Sequence, residues 1–255
     1  MDITRIYNSP NILGLILTFY VSFALSARKS ALLLQSVFNV PVSYQTVLNY
    51  AEAASYYCHR FNLTHKGNID EITAGDETYI KIKGKHAYTF FFISSENHKI
   101  TAYHIADNRG ALPAIAAIKE AVRTAKPHQK LNLVTDDNPS YAAAVLYLNA
   151  QKNSNPAISH RKVIGLQNLD EQSEQFRAFK QLIERLNRTY KQHVKPSHGF
   201  NTPNGAMALT TLFVTHYNFL RPHMALNYKT PVQVPELNTI STIQGKWAKI
   251  LSMAA

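Results

Sequence analysis

The sequence predicts an α/β fold, a mixed sheet flanked by helices and preceded by a small all-α helical module. Three observations point there: three short apolar helical segments at the front, a period-two meander from Ile72, and a later alternation of a short apolar strand with periodic helices.

At 255 residues, with 45% hydrophobic and 17% charged side chains, the chain has room for one domain of ordinary size plus a small module. No internal repeat or low-complexity tract interrupts it. The excess of 27 Lys and Arg over 16 Asp and Glu gives a formal charge of +11. Such a surface favours a polyanionic partner, because each phosphate contact releases counterions. The single cysteine, Cys58, excludes an intrachain disulfide and any Cys-rich zinc site, and it fits a reducing, cytoplasmic setting.

The run Ile12 to Leu25, with Arg5 ahead of it and Ser26-Ala27 behind, imitates a secretory signal peptide. It is shorter than the ~18 to 20 apolar residues that span a bilayer. A second apolar segment, Ala31 to Phe38, and a third, Ser43 to Cys58, follow at once, so a helical module and no membrane partner are expected. Ser43 can cap the third helix and Val42 can staple onto Val47. Val47, Leu48, Ala51 and Ala54 form an apolar stripe, which leaves Tyr44, Gln45, Thr46 and Asn49 as candidate DNA contacts of a helix-turn-helix. A helical subdomain with no DNA role is the plainer alternative. The module is expected over 1–60, and Phe61 to Asp70 reads as the core of a linker over 61–71.

From Ile72 the period changes to two. Residues 76, 78, 80 and 82 share one strand face, so Asp76 is in register with Ile80 and Ile82. A carboxylate on a buried face is costly unless it is paired or binds a metal. Glu77 falls on the Lys-bearing face and reads as solvated. Strands over His86 to Ser94 and Ile100 to Ile105 complete a three-stranded meander, and a helix follows over Ala111 to Ala125. Leu131 to Thr135 is a short strand that ends at Asp136, and Asn138-Pro139 start another helix. Asp136 therefore stands where a strand gives way to a helix, a usual place for ligand-binding side chains, although Asp136 and Asp137 also read as turn formers.

Ser173 to Val194 is the most periodic segment, with Phe176, Phe179, Ile183, Leu186 and Tyr190 on one stripe and Pro196 as its stop. Lys180, Glu184, Arg188, Lys191 and Lys195 form a neighbouring polar stripe. Read locally, Glu184 and Arg188 are an i,i+4 surface pair. The helix that Thr202 and Pro203 start runs to Phe219, and His160, His216 and His223 read as structural.

Taken together, these segments resemble the DDE transposase and integrase superfamily. The resemblance rests on Asp76-Glu77-Thr78-Tyr79-Ile80-Lys81, on Thr135-Asp136-Asp137-Asn138-Pro139-Ser140-Tyr141, on Ile183-Glu184-Arg185-Leu186-Asn187-Arg188-Thr189, and on Tyr217 to Leu226 with its Arg221-Pro222-His223. It implies an RNase H-like catalytic domain over 72–235, with 236–255 as a tail. It also implies a triad of Asp76, Asp136 and Glu184, at separations of 60 and 48 positions. That triad would hold two Mg²⁺ or Mn²⁺ ions for phosphodiester cleavage and strand transfer, with Asp76 bridging them. The implied partners are mobile-element ends, target DNA and further copies of the chain, at least one in the active complex.

Lys191 matches a basic position near the DNA end, and Arg188 and Lys195 join it as expected phosphate contacts. Glu171, 35 positions after Asp136, is the rival third acid, but it is expected to sit in the irregular Gln167-Asn168-Leu169-Asp170 region. Relatives often carry a further DNA-binding or zinc-ribbon segment ahead of the helices, so the chain reads as shortened at its start. A catalytically inactive DNA-binding relative and a nuclease of the same fold stay open as alternatives.

Overall fold

The computed structural model describes residues 9–126, 129–151, 157–164 and 170–255. Arg5 and the Gln167-Asn168-Leu169 stretch lie outside them. The described chain forms nine helices and five strands: α1 (Pro10–Leu17), α2 (Ala27–Phe38), α3 (Tyr44–Thr64), β1 (Ile72–Ile82), β2 (Lys85–Ser94), β3 (Ile100–Ala106), α4 (Ala111–Ala121), β4 (Lys130–Thr135), α5 (Pro139–Ala150), β5 (Ala157–Lys162), α6 (Glu171–Val194), α7 (Pro203–Thr215), α8 (Pro235–Asn238) and α9 (Ile243–Ala254). None of the described helices is long and apolar enough to cross a membrane. The residues sort into two compact units. One comprises residues 1–65, 82–84 and 190–255, and the other comprises 66–81 and 85–189.

In the second unit the strands lie in the order β3-β2-β1-β4-β5. Strands β1, β4 and β5 run parallel, while β2 and β3 are antiparallel. The sheet is therefore mixed, as the sequence predicts. The β1–β2 hairpin turns on Lys83 and Gly84, with φ of 51° and 75°. Two positive φ values in a two-residue loop make the turn whose twist matches the strands, and a glycine at the second position meets no steric cost. Edge strand β5 was not foreseen from the sequence. Only Ile158 of its six residues is buried, so it shows no clear alternation.

One sheet face is covered by α4 and α5. Phe90, Phe92, Ala102, Leu133 and Ile158 meet Ala114, Ala117 and Ile118 of α4 and Tyr141, Ala144 and Val145 of α5 in one buried cluster. Gly75 is required there, because a Cβ at that position would lie 2.3 Å from the Phe92 ring. The other face receives α6, where the Arg161 guanidinium stands 5.8 Å from the Phe176 ring centre and Asp76 reaches two α6 side chains.

In the first unit, α3 packs on α7 and on α9, and α1 packs on α9. Helix α3 keeps its predicted Ser43 cap, which accepts from the Thr46 amide, but it runs six residues past Cys58, through the start of the segment read as a linker. The cause is Phe61, 1% exposed and edge-on to Phe219 at 4.9 Å. Within the C-terminal stretch that carried no sequence signal, α9 buries Trp247 fully, and its indole N–H donates to Ser22 at 3.0 Å.

Both α1 and α7 continue into π-helical turns, Thr18–Ser22 and His216–Leu220. Burial, then the charges of His193, Arg221 and His223, push the His216 imidazole down to about 3. An unfolded histidine titrates near 6.5. Between about 6.5 and about 3 the unfolded chain therefore takes up a proton that the folded chain refuses, and stability falls as pH falls through that window. The loss is on the order of a few kcal/mol when complete. Urea unfolding at pH 7 and pH 5 is expected to show a drop that shrinks in His216→Leu; an equal drop in both proteins would assign the acid sensitivity to other groups.

Candidate metal centre

Strand β1 outruns its parallel neighbour. Its ladder with β4 runs from Ile72 opposite Asn132 to Ala74 opposite Val134, and the same register two residues on brings Asp76 level with Asp136. Asp136 is the first residue past β4, and both aspartates follow the phase that faces α6. Its Oδ1 also accepts from the Asn138 amide at 3.1 Å. The turn-forming role and the site-facing role thus coexist.

One oxygen from each of Asp76, Glu77 and Asp136 lies within 4.8 Å of the other two, which makes this a candidate divalent-cation cluster. The presence of Glu77 corrects its reading as a solvated residue. Its side chain is 7% exposed. The first half of β1 is covered on both faces, so the Lys-bearing face becomes open only from Tyr79 onward. Glu77 accepts from Asn138 Nδ2 at 3.0 Å and from the Tyr141 hydroxyl at 2.6 Å. Burial and the adjacent Glu77 charge hold the Tyr141 hydroxyl well above its ordinary value, so it stays a donor.

Helix α6 supplies the other wall. Lys180 Nζ stands 3.4 Å from Asp76 Oδ2, and Asn187 Nδ2 donates to the same oxygen at 3.1 Å. Lys180 is buried, which corrects its place on the solvated polar stripe: the aspartate draws it in, leaving 9% of the side chain exposed. Burial pushes the Asp76 carboxyl up to about 6, helped by the charges of Asp136 and Glu77 and opposed by Lys180. Glu184 is half-buried on α6. It is outside the three-carboxylate cluster. It nonetheless lies between Lys180 and Asn187 along the helix and neighbours both on its surface, because positions three and four apart are adjacent there.

Glu171 is not in irregular chain. It is the first residue of α6, exposed, in a turn capped by Asp170, whose Oδ1 accepts from the Ser173 amide at 2.6 Å.

This donor set fits a hard divalent cation. It is made of carboxylate oxygens, and one ammonium group does not balance three carboxylates. Asn187 Oδ1 is buried beside Asp76 with no hydrogen-bond partner among the described residues, which leaves an oxygen ready for a cation or its water.

The residues proposed for DNA contact lie elsewhere in the chain. Tyr44, Gln45 and Asn49 are exposed on the first turns of α3, whereas Thr46 is half-buried and its hydroxyl meets that of the Ser43 cap at 2.9 Å. Gln45 donates to Asn49 at 2.9 Å. The Arg28 guanidinium stands 5.1 Å from the Tyr44 ring centre. Together Arg28, Tyr44, Gln45 and Asn49 line a cleft of about 770 Å³, to whose lining His198 and Gly199 also belong. Arg188, Lys191 and Lys195 are exposed on α6 and just beyond it. His160 is tied to Thr135 at 2.8 Å and His223 to the Tyr217 carbonyl at 3.2 Å, which agrees with structural roles.

Glu77, Tyr141, Lys180 and Asn187 are site residues that their local sequence does not mark as such. One signal was available for two of them: Lys180 and Asn187 flank Glu184 at helical spacing.

Comparison with known proteins adds a family. A DDE-domain model of IS240-type transposases matches residues 73–202, and an integrase core-domain model matches residues 177–231. No curated protein sequence matches. Among solved structures, the HTLV-2 integrase catalytic core in complex with magnesium, in its trimeric form, aligns over 64% of this chain and 95% of its own, at 16% identity and a TM-score of 0.40. Its dimeric form aligns over 64% and 93%, also at 16% and 0.40. A chain of the simian T-cell lymphotropic virus intasome, solved in complex with the PP2A regulatory subunit B56 gamma, aligns over 88% of this chain and 73% of its own, at 19% identity and a TM-score of 0.42.

Proposed function

Since the chain belongs to the DDE transposase family of DNA-cleaving and strand-transferring enzymes, we propose that it cuts at the ends of a mobile element and joins the freed 3′-hydroxyl to target DNA. Asp76, Asp136 and Glu184 are the proposed ligands of two Mg²⁺ or Mn²⁺ ions. The observation that carries this reading is the half-buried meeting of Asp76 on β1 with Asp136, just past the parallel strand β4, within 4.8 Å of each other through one oxygen each. Bound there, the ions would activate a water or 3′-hydroxyl and stabilise the leaving oxygen.

The chain's own residues prepare that chemistry. Lys180 and Asn187 hold Asp76 Oδ2 from one side, which fixes the plane of the carboxylate. The Asn138 amide holds Asp136 Oδ1. Glu184 joins the pair from α6, where it neighbours both Lys180 and Asn187 on the helix surface.

Further readings complete the proposal. Helices α2 and α3 act as a helix-turn-helix in a DNA-binding module over 1–60, with Tyr44, Gln45, Thr46 and Asn49 reading bases. The part of 61–71 that follows α3 links to the catalytic domain over 72–235, and 236–255 follows that domain, with α9 packed on α1 and α3. Arg188, Lys191 and Lys195 hold phosphates, and the active complex contains at least two copies. The charge of +11 supports a polyanionic partner.

A joining assay tests all of this: the chain, Mg²⁺ or Mn²⁺, a labelled duplex with a pre-cleaved element end, and a plasmid target. Joined product is expected. Cutting without joining would instead make the protein a nuclease, and binding without either would make it an inactive relative. In the same assay Gln45→Ala with Asn49→Ala should weaken binding to element ends and spare joining of a generic end, since base contacts specify and phosphate contacts position. Equal loss on every sequence would reduce α3 to a structural or purely electrostatic element.

A further inference from the structure

We propose that Glu77 is a strut that sets the spacing of Asp76 and Asp136, and not a third metal ligand of the cluster in which it stands. The proposal rests on the metal-centre reading above and concerns how that centre is built.

Both Glu77 oxygens are already committed. Oε1 takes the Asn138 side-chain amide at 3.0 Å, and Oε2 takes the Tyr141 hydroxyl at 2.6 Å. Neither partner is able to turn away easily. Asn138 caps α5, its Oδ1 accepting from the Ser140 amide at 3.0 Å, so its NH₂ group is left to face Glu77. The Tyr141 ring is fully buried, and it stands edge-on to Phe90 and Phe92 at 6.3 and 6.4 Å. One lone pair stays on each Glu77 oxygen, but the two anchored donors set the direction in which the carboxylate faces.

The grip falls where the sheet no longer does the work. The β1–β4 ladder stops at Ala74 and Val134, two residues short of each aspartate, so backbone pairing does not hold Asp136 level with Asp76. Glu77 bridges that gap from the opposite face of β1. Its hold on Asn138 anchors the residue whose backbone amide binds Asp136 Oδ1 at 3.1 Å. A continuous line of contacts thus runs from the residue after Asp76, through Asn138, to Asp136. Arg109, 3.9 Å from Glu77 Oε1 and largely exposed, adds only a screened charge.

A glutamine at this position would keep the geometry and discard the charge. Its carbonyl oxygen accepts from Asn138, and its NH₂ group donates to the Tyr141 oxygen, because a phenol hydroxyl also accepts. A strut therefore survives Glu77→Gln, whereas a metal ligand does not.

The test is a Mn²⁺ titration of the full chain, with free Mn²⁺ followed by electron paramagnetic resonance and the fold checked by thermal melting. Glu77→Ala is expected to weaken Mn²⁺ binding by about 10- to 100-fold, the usual effect of removing a residue that orients metal ligands. Glu77→Gln should restore it to within a few-fold of the unaltered chain, while Asp76→Asn loses it. If Glu77→Gln binds as poorly as Asp76→Asn, Glu77 is a ligand and the strut is overturned. Should Glu77→Ala fail to fold, Tyr141→Phe cuts one of the two ties and keeps the buried ring; unchanged Mn²⁺ affinity there overturns the strut equally. If Asp76→Asn binds Mn²⁺ as well as the unaltered chain, the metal-centre reading itself has failed, a result that the Glu77 variants alone do not produce.

Discussion

Asp76→Asn is expected to abolish metal-dependent cleavage and joining while leaving a folded protein. The loss should be at least about 10³-fold in the single-turnover rate, which corresponds to about 4 kcal/mol of transition-state stabilisation. Asparagine keeps the size and one oxygen of the side chain, so the Lys180 ammonium still has an acceptor. It removes one of three negative charges from a half-buried cluster in which burial and the neighbouring carboxylates already hold Asp76 up at about 6. Thermal melting without metal should therefore show a protein close to the unaltered chain. A variant with normal melting and a rate within tenfold of normal would mean that the cluster is not where the chemistry happens. Poor melting would leave the rate uninterpretable, and Asp136→Asn, on a residue in the loop after β4, then supplies the comparison.

The parts of this site that were legible in the sequence are those set by local rules. Strand phase put Asp76 on the face shared with Ile80, and the Asn138-Pro139 start put Asp136 at a strand end, because each depends only on the residues beside it. The α6 stripe of Phe176, Ile183, Leu186 and Tyr190 is buried as its period requires. What stayed illegible depends on tertiary cover. Glu77 has a polar neighbourhood in sequence, and only the arrival of α5 over that half of β1 buries it. Lys180 looks like a solvated residue until Asp76 stands opposite. Strand β5 escaped because an edge strand with a single buried side chain shows no clear alternation, and the extension of α3 escaped because Phe61 is buried by Phe219, far along the chain.

Glu184→Gln is expected to cost as much activity as Asp76→Asn, whereas Glu171→Gln should leave the rate within about twofold. A helix turns about 100° per residue, so Lys180, Glu184 and Asn187 fall within about 60° of arc. Lys180 and Asn187 both contact Asp76 Oδ2, and Glu184 lies between them along the axis and about 40° round the helix from Lys180, on the side of α6 that those two turn toward Asp76. Glu171 lies nine positions before Lys180, about 13 Å along the helix axis. It is exposed in the capped first turn, where a carboxylate serves the helix dipole and nothing more is required of it. Joining rates for the two variants, each paired with its Mn²⁺ stoichiometry, decide between them. A Glu184→Gln protein that joins DNA normally and keeps the full metal count, beside a Glu171→Gln protein that does neither, would transfer the third ligand to Glu171. It would also require the first turn of α6 to move toward Asp76 when metal and DNA bind.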